Sequence, residues 1–364
     1  MRVAVCGAGV IGAAVAWFLA KAGATPVVIE RTAVACAASG KSGGFLALDW
    51  CDGTPVERLA RRSFALHAAL AEALPERWGY RRVPTLHLHY AAGHPPARDR
   101  SRGLPAWLGP ATVPVGRLGT PETTAVLQPA AFTRGLLDAA IAAGGELVEA
   151  RVTDLVRTSD GRVGGVVAEA ETISADAVVI AMGPWSNLLA TLELPRVHAL
   201  EGTSLVFRLA DGRLADGPTE PAAFFVDYLG SDGSHDSPEV VVRSDGTVYV
   251  SGLSAQPPLP ADPAHVTPVP GTADRLLAMV RAFAPGLANA PVVARQACFR
   301  PLLRDGLPLI GPVTGAPGAF VATGHSVWGM LNAPATGELV ADLVLGRSPG
   351  IDPTPFAVDR AGRF

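Results

Sequence analysis

The chain has 364 residues, enough for two domains or one large one. Its 49% hydrophobic and 17% charged residues exclude general disorder and provide for a large core. A net charge of −3 with no basic run argues against a nucleic-acid face or a polybasic membrane patch. The four cysteines, Cys6, Cys36, Cys51 and Cys298, show no C-x-x-C pair and no zinc spacing, so reduced thiols in a cytoplasmic protein are expected and no metal site is. Val3 to Ala20 is free of charge and superficially suits a membrane span or a signal peptide. The glycines within it argue otherwise.

Val3-Ala4-Val5-Cys6 reads as a buried strand, followed by Gly7-Ala8-Gly9-Val10-Ile11-Gly12 and a helix to about Ala22. In a G-x-G-x-x-G turn each glycine has a separate task. Gly7 permits the tight bend, Gly9 lets backbone approach a pyrophosphate, and Gly12 lets the helix pack closely on its strand. The helix then aims its N-terminal N–H groups at the phosphates. A second apolar strand, Pro26 to Ile29, ends in Glu30, which is placed to bind the hydroxyls of an adenosine ribose. Strand, turn, helix and closing acid together specify a dinucleotide site.

Next comes the small-residue loop Ala37 to Phe45, rich in backbone donors and suited to wrapping the far half of a dinucleotide, although an ordinary connector has the same texture. Leu59, Phe64, Leu66, Leu70 and Leu74 predict an amphipathic helix over Val56–Ala73. Tyr80 to Tyr90 reads as strand, with His87 and His89 on one face and no third metal ligand near them. Residues 91–121 read as loops. Pro129 opens a helix that Gly144-Gly145 ends. Glu146 to Val156 reads as a strand and Val163 to Ala168 as its hairpin partner. Asp176 to Met182 is a buried strand entering a turn at Gly183. Between 198 and 296, strands Thr203–Leu209, Ala223–Tyr228, Val240–Arg243 and Thr247–Leu253 suggest a mostly antiparallel sheet. A Pro-rich loop (255–271), a helix near Ala273–Ala284, a strand Ala319–Thr323, a turn at Gly324-His325-Ser326 and a long helix from about Gly329 to Leu345 complete the chain.

With these residues in place, the chain resembles the D-amino-acid-oxidase superfamily, which includes glycine oxidase and sarcosine oxidase. The likeness rests on the glycine turn with Glu30, Ala181-Met182-Gly183, Arg300-Pro301 with Asp305-Gly306, Pro308 and Gly311, and Gly324-His325 with Gly329 and Pro334 to Leu339. The stretch Ser39 to Trp50 looks like a branch known only as FAD oxidoreductases. The resemblance implies an α/β, two-domain fold. A Rossmann-like FAD-binding domain would take residues 1–80, 126–197 and 297–364, and a discontinuous substrate domain 81–125 and 198–296. It implies that FAD contacts Gly7, Gly9, Val10, Ile11, Gly12, Glu30 and Arg31 at the adenosine end. Ser39, Gly40, Lys41, Ser42, Gly43, Gly44, Val152, Ala181, Gly183 and Trp185 would follow. Arg300, Gly324, His325, Ser326, Trp328, Gly329 and Met330 would lie toward the flavin.

The resemblance also implies the chemistry. A neutral substrate amine delivers hydride from its α-carbon to flavin N5, the imine hydrolyses, and oxygen is reoxidant. Arg300 takes the position that holds a substrate carboxylate, a match of guanidinium fork to carboxylate; a structural ion pair is the other reading. A positive group beside the flavin would be the Gly329 helix N-terminus, helped by His325 and Lys41. A pyrophosphate contact or an exposed charge is open for Lys41, and a packed structural role for His325. Tyr228 and Tyr249 would assist the carboxylate or belong to the core. Cys298 lies where some sarcosine oxidases tether flavin covalently; non-covalent FAD with a buried thiol is the expectation. The reading is an FAD-dependent oxidase or dehydrogenase of an amino acid or N-substituted amino acid, with a small carboxylate-bearing amine and oxygen as partners, and no nucleic acid or membrane. A nicotinamide dehydrogenase, and a flavin-binding protein with a recognition or assembly role, are the alternatives.

Overall fold

The computed structural model describes residues 1–74, 78–93, 104–105, 107–209, 213–214, 217–218 and 220–363. Within them the helices are α1 (Val10–Lys21), α2 (Ala38–Lys41), α3 (Glu57–Ala73), α4 (Pro129–Ala142), α5 (Thr272–Phe283) and α6 (Gly329–Val344). One sheet takes strands in the order Leu309–Pro312, Ala319–Thr323, Ala177–Ile180, Arg2–Cys6, Thr25–Glu30, Glu146–Glu149. All its neighbours are parallel except Leu309–Pro312 against Ala319–Thr323. The period-2 alternation of its central strand feeds two cores. Val3 and Val5 pack under α1, α3, α4 and α6, while Ala4 and Cys6 pack against the antiparallel meander Val152–Arg157, Val163–Ala168 and Glu171–Ser174. Burial on both faces is why the strand reads as a continuous apolar run. This is the Rossmann-like α/β core that the sequence implied.

The second sheet is ordered Val292–Leu302, His198–Arg208, Thr247–Ala255, Glu239–Val242, Ala222–Leu229, Thr85–Ala91, Thr112–Gly119, and His235–Asp236 pairs with Ala222–Leu229. It is antiparallel except where Thr85–Ala91 runs parallel to Ala222–Leu229. One face carries Phe224, Val226, Tyr228, Val240, Val242, Val248 and Val250 into a core closed by α5. The other face turns toward the first sheet. A small sheet of Phe45–Ala47, Thr124–Val126 and Arg81–Arg82 bridges the two.

Several expectations are corrected here. The single strand expected over Glu146–Val156 is two, in different sheets, because the chain leaves the first sheet at Ala150-Arg151. Tyr80–Tyr90 likewise divides at Val83-Pro84. Thr112–Gly119, expected as loop, is an edge strand with Pro114 and Gly116 at irregular register, while 94–103 and 106 lie outside the described residues. The loop at 37–45 contains the single turn α2. The strand Val292–Leu302 runs unbroken through residues 296 and 297.

α6 carries Pro334 in its interior, which removes one N–H and displaces the next. Two side chains of α3, one turn apart, fill both gaps. His67 Nε2 lies 3.0 Å from the Met330 carbonyl and 3.1 Å from that of Leu331, and the Ser63 hydroxyl accepts the Ala335 N–H at 3.0 Å. The carbonyls require the donor tautomer at Nε2, and burial holds the ring neutral by lowering its pKa to about 4. Ser63→Ala should therefore cost about 1–3 kcal/mol, the range for a buried amide left without a partner, read as a lower urea midpoint. Because the unfolded chain takes up the His67 proton near the ordinary 6.5 and the fold refuses it until about 4, stability should fall as pH drops through that window. Equal urea midpoints at pH values on either side of it would contradict this.

Candidate active site

A cleft of ≈ 530 Å³ runs from the C-terminal ends of the first sheet to the open face of the second. Its near end is made of backbone that has no room for side chains. Gly7 has φ +105°, and a Cβ there would lie 2.7 Å from the Ala181 carbonyl oxygen. A Cβ on Gly12 would lie 1.9 Å from the Gly7 carbonyl oxygen. The α1 N-terminus opens on this bare surface, with Ser39 Oγ accepting the Val10 N–H at 2.8 Å and no acidic residue in the first turn. The Glu30 carboxylate closes the strand and accepts the Ala8 N–H at 2.8 Å and the Thr32 N–H at 2.9 Å. A positive helix end beside unobstructed backbone fits the phosphates of a dinucleotide.

The Pro-rich segment after Ala255 fastens over this end. Arg31 donates to the Ala261 carbonyl at 2.7 Å and pairs with Asp262 at 3.1 Å, and the Trp185 indole donates to the Pro260 carbonyl at 2.7 Å. Pro263 thereby becomes part of the cleft lining.

The far end belongs to the second sheet and to the turn before α6. Arg300 passes over Gly202, where a Cβ would come 2.8 Å from its Nη2. The guanidinium donates to Ser254 Oγ at 3.3 Å and makes no ion pair among the described residues. Glu239, Tyr249, Ser251 and Cys298 share this wall. Phe45, Trp50, Phe225 and Trp328 form an aromatic group with centroids 5.0 Å apart for Phe45–Trp50 and Trp50–Phe225, and 6.2 Å for Trp50–Trp328. α6 points its N-terminus at the cleft through Trp328, Gly329 and Met330. Ser326, a non-glycine at φ +51°, turns the chain there.

The cleft brings together Gly7, Gly9, Val10, Ile11, Glu30, Arg31, Ser39, Ser42, Gly43 and Gly44. It also gathers Val152, Ala181, Gly183, Trp185, Tyr249, Arg300, His325, Ser326, Trp328, Gly329 and Met330. Gly12, Gly40, Lys41, Gly324 and Tyr228 are not in its lining. Gly12, Gly40 and Gly324 shape it from behind: Gly40 packs on the Ala35 carbonyl, and Gly324 at φ +81° makes the turn. Lys41 receives the Gln296 amide on its own carbonyl at 3.3 Å, and its charge is felt at Cys298. Tyr228 is in the α5 core, stacked on Tyr90 at 5.2 Å. Strand alternation separates it from Phe225 and could have shown this.

Burial fixes the charge of the remaining candidates. His325 shares a 3.0 Å hydrogen bond with Thr336 Oγ1, and desolvation lowers its pKa to about 3, so it is neutral and is no cation for a flavin. Burial raises the Tyr249 phenol and the Cys298 thiol, so both stay protonated. Two residues with no signal in the sequence complete the site. Arg243, 7% exposed, donates from Nη2 to the Ser42 carbonyl at 2.7 Å and the Gly43 carbonyl at 3.1 Å, and lies 5.1 Å over the Tyr249 ring. It clamps the 42–44 loop on the second sheet. Glu239 presents a carboxylate to the cleft. Among the described residues no group of His, Cys, Asp and Glu side chains forms a metal site, and no helix is long and apolar enough to cross a membrane.

Residues 2–343 match the family described as FAD dependent oxidoreductase. Glycine oxidase of Pseudomonas aeruginosa is 30% identical over 390 residues, covering 100% of this chain and 99% of that protein. A putative oxidoreductase of Schizosaccharomyces pombe is 26% identical, with 94% of both chains covered. The crystal structure of glycine oxidase from Geobacillus kaustophilus matches with TM-score 0.81 and 27% identity over 99% of both chains. The bare glycine cradle, the two helix N-termini and the continuous cleft suit the cofactor of that family, and the chain belongs to the DAO family of FAD-dependent oxidoreductases.

Proposed function

We propose that this chain oxidises the C–N bond of a small amino acid or N-substituted amino acid, with non-covalent FAD and with oxygen as electron acceptor. The observation that carries the reading is Arg300: a guanidinium on the cleft wall, given space by Gly202, with one long hydrogen bond and, among the described residues, no carboxylate in ion-pair contact. A carboxylate-bearing ligand would complete it bidentately. The names of the glycine oxidase relatives favour an amino acid over other carboxylates.

FAD, when bound, supplies the two-electron acceptor for the substrate's α-hydrogen. The chain's own residues do the rest. Gly7, Gly9 and the α1 N-terminus receive the pyrophosphate, and Glu30 the ribose. Arg300 fixes the carboxylate and so the direction of the α-carbon. Phe45, Trp50, Phe225 and Trp328 keep water from that end and limit side-chain size. With His325 neutral, the α6 N-terminus takes over as the positive element on that side of the cleft. The protonated, buried Cys298 supports a cofactor without a covalent link.

Gly7→Ala should yield protein without the visible flavin band, since a Cβ meets the Ala181 carbonyl at 2.7 Å and strains φ +105°. Full yellow colour in that variant would contradict the cradle. Arg300→Ala should keep its colour yet lose about 2–5 kcal/mol in kcat/KM, ~30-fold or more, in a peroxide-coupled assay over an amino-acid panel. Arg300→Lys should fall between the two. Full activity in Arg300→Ala would sink the carboxylate reading, and turnover that needs an added dye instead of oxygen would convert the oxidase into a dehydrogenase.

A further inference from the structure

We propose that Glu239 receives the substrate's amino group, so that the site takes zwitterions, with Arg300 and Glu239 holding opposite charges of one ligand. This deepens the function proposed above and rests on it.

Glu239 opens the strand Glu239–Val242 and lies opposite Phe225 on one neighbour and Ser251 on the other. Both line the cleft on the same sheet face, as do Gly202, Cys298 and Arg300. The loop at Gly43 covers the carboxylate: a Cβ on Gly43 would lie 2.8 Å from Glu239 Oε1 and 3.1 Å from the Tyr249 ring. Glycine there lets backbone shield the carboxylate from bulk water without displacing it.

The charged and titratable groups around Glu239 are Arg300 and Cys298 from Val292–Leu302, Tyr249 from Thr247–Ala255, and Arg243 after its own strand. None neutralises it by contact. Among the described residues Glu239 has no ion pair within the 4.0 Å limit, and Arg243, the nearer candidate by sequence, commits its fork to the Ser42 and Gly43 carbonyls. Cys298 and Tyr249 stay protonated. The wall thus holds one cation and one carboxylate that do not touch each other. A carboxylate covered by a loop and left without a counter-ion is costly unless a ligand supplies one. A zwitterionic α-amino acid brings the complementary charge to both ends at once.

The same contact accounts for a proton. Burial raises the Glu239 carboxyl above its ordinary value, with Arg300, Arg243 and the Ser251 hydroxyl pulling the other way. When an ammonium docks there, an N–H bond breaks, a Glu239 O–H bond forms, and the electron pair stays on nitrogen. The amine is left neutral, the form from which its α-hydrogen can leave as hydride. Glu239 therefore selects amines over hydroxy acids and simple carboxylates.

The test compares binding of 2-aminoisobutyrate and isobutyrate to the FAD-loaded protein by calorimetry. The first has no α-hydrogen and binds without turnover; the second has the same skeleton without nitrogen. Glycine and acetate, titrated into protein whose flavin has first been reduced so that it can take no hydride, serve as the smaller pair. The wild type should prefer the amine of each pair by about 10–100-fold, the range for one charge-assisted hydrogen bond. Glu239→Gln should bring the two ligands of a pair together and leave carboxylate binding unchanged or tighter. Glu239→Asp, which keeps the charge, should recover part of the preference. A merely structural Glu239 would weaken both ligands alike or leave the gap intact, and either result overturns the proposal. If the carboxylates bind through Arg300 and the amine adds nothing, this inference fails alone. If neither pair binds the wild type, the amino-acid function fails and takes this inference with it.

Discussion

Everything in this molecule hangs from a place where backbone must touch backbone. The Gly7 carbonyl lies where a side chain on Gly12 would be, and the Ala181 carbonyl where one on Gly7 would be. That contact seats α1 on the central strand and aims its N-terminus at open space. The strand Ala177–Ile180, brought alongside by parallel pairing, ends at the same spot, so Ala181 and Gly183 form the cleft's second edge. α6 then crosses α1 at another bare position, Gly337, where a Cβ would come 2.6 Å from the Ala14 backbone. Two helix N-termini thereby converge on one cleft, with their dipoles acting where water is scarce.

The second sheet meets this core through its unlayered face. Arg243 makes the junction: a buried guanidinium that, among the described residues, has no carboxylate in ion-pair contact and spends its donors on the carbonyls of Ser42 and Gly43. Those carbonyls belong to the loop that follows the strand closed by Glu30, so the clamp joins the glycine end of the cleft to the wall formed by the second sheet. The Pro260–Pro263 segment makes a second junction through Arg31 and Trp185. Neither tie is large. Together they leave the cleft walled on several sides by residues distant in sequence.

What was legible in the sequence is what is local. The strand–turn–helix of residues 3–22, the acid at Glu30, the amphipathic α3, the Pro129 helix start and the Gly324 turn all announce themselves through spacing and glycine. Arg300 came through resemblance, and its open guanidinium through geometry. What escaped depends on cross-strand partners and on burial. The register that sets Glu239 opposite Ser251 and Phe225 has no trace in any single segment. Arg243 reads only as the last residue of a strand until the loop it holds is folded over it. His325 lines the cleft, but complete burial holds its ring neutral, which favours the packed structural role over the positive helper. Tyr228, open between a carboxylate contact and the core, belongs to the core: Phe224, Val226 and Tyr228 alternate onto one face, and Phe225 onto the other. Glu146–Val156 shows the opposite limit, since continuous strand propensity does not reveal that the chain changes sheets.

A free carboxylate bound by Arg300 would place the α-carbon for oxidation at the cofactor. The measurement that meets it most directly is anaerobic bleaching of the bound flavin by a panel of amino acids, each beside its own primary amide. Amide and acid share the amine and the α-hydrogen and differ in the group offered to Arg300. Rapid bleaching by at least one acid and little by its amide is expected, with the difference lost in Arg300→Ala. Amides that bleach as fast as acids, or a flavin that no amino acid reduces, would contradict it.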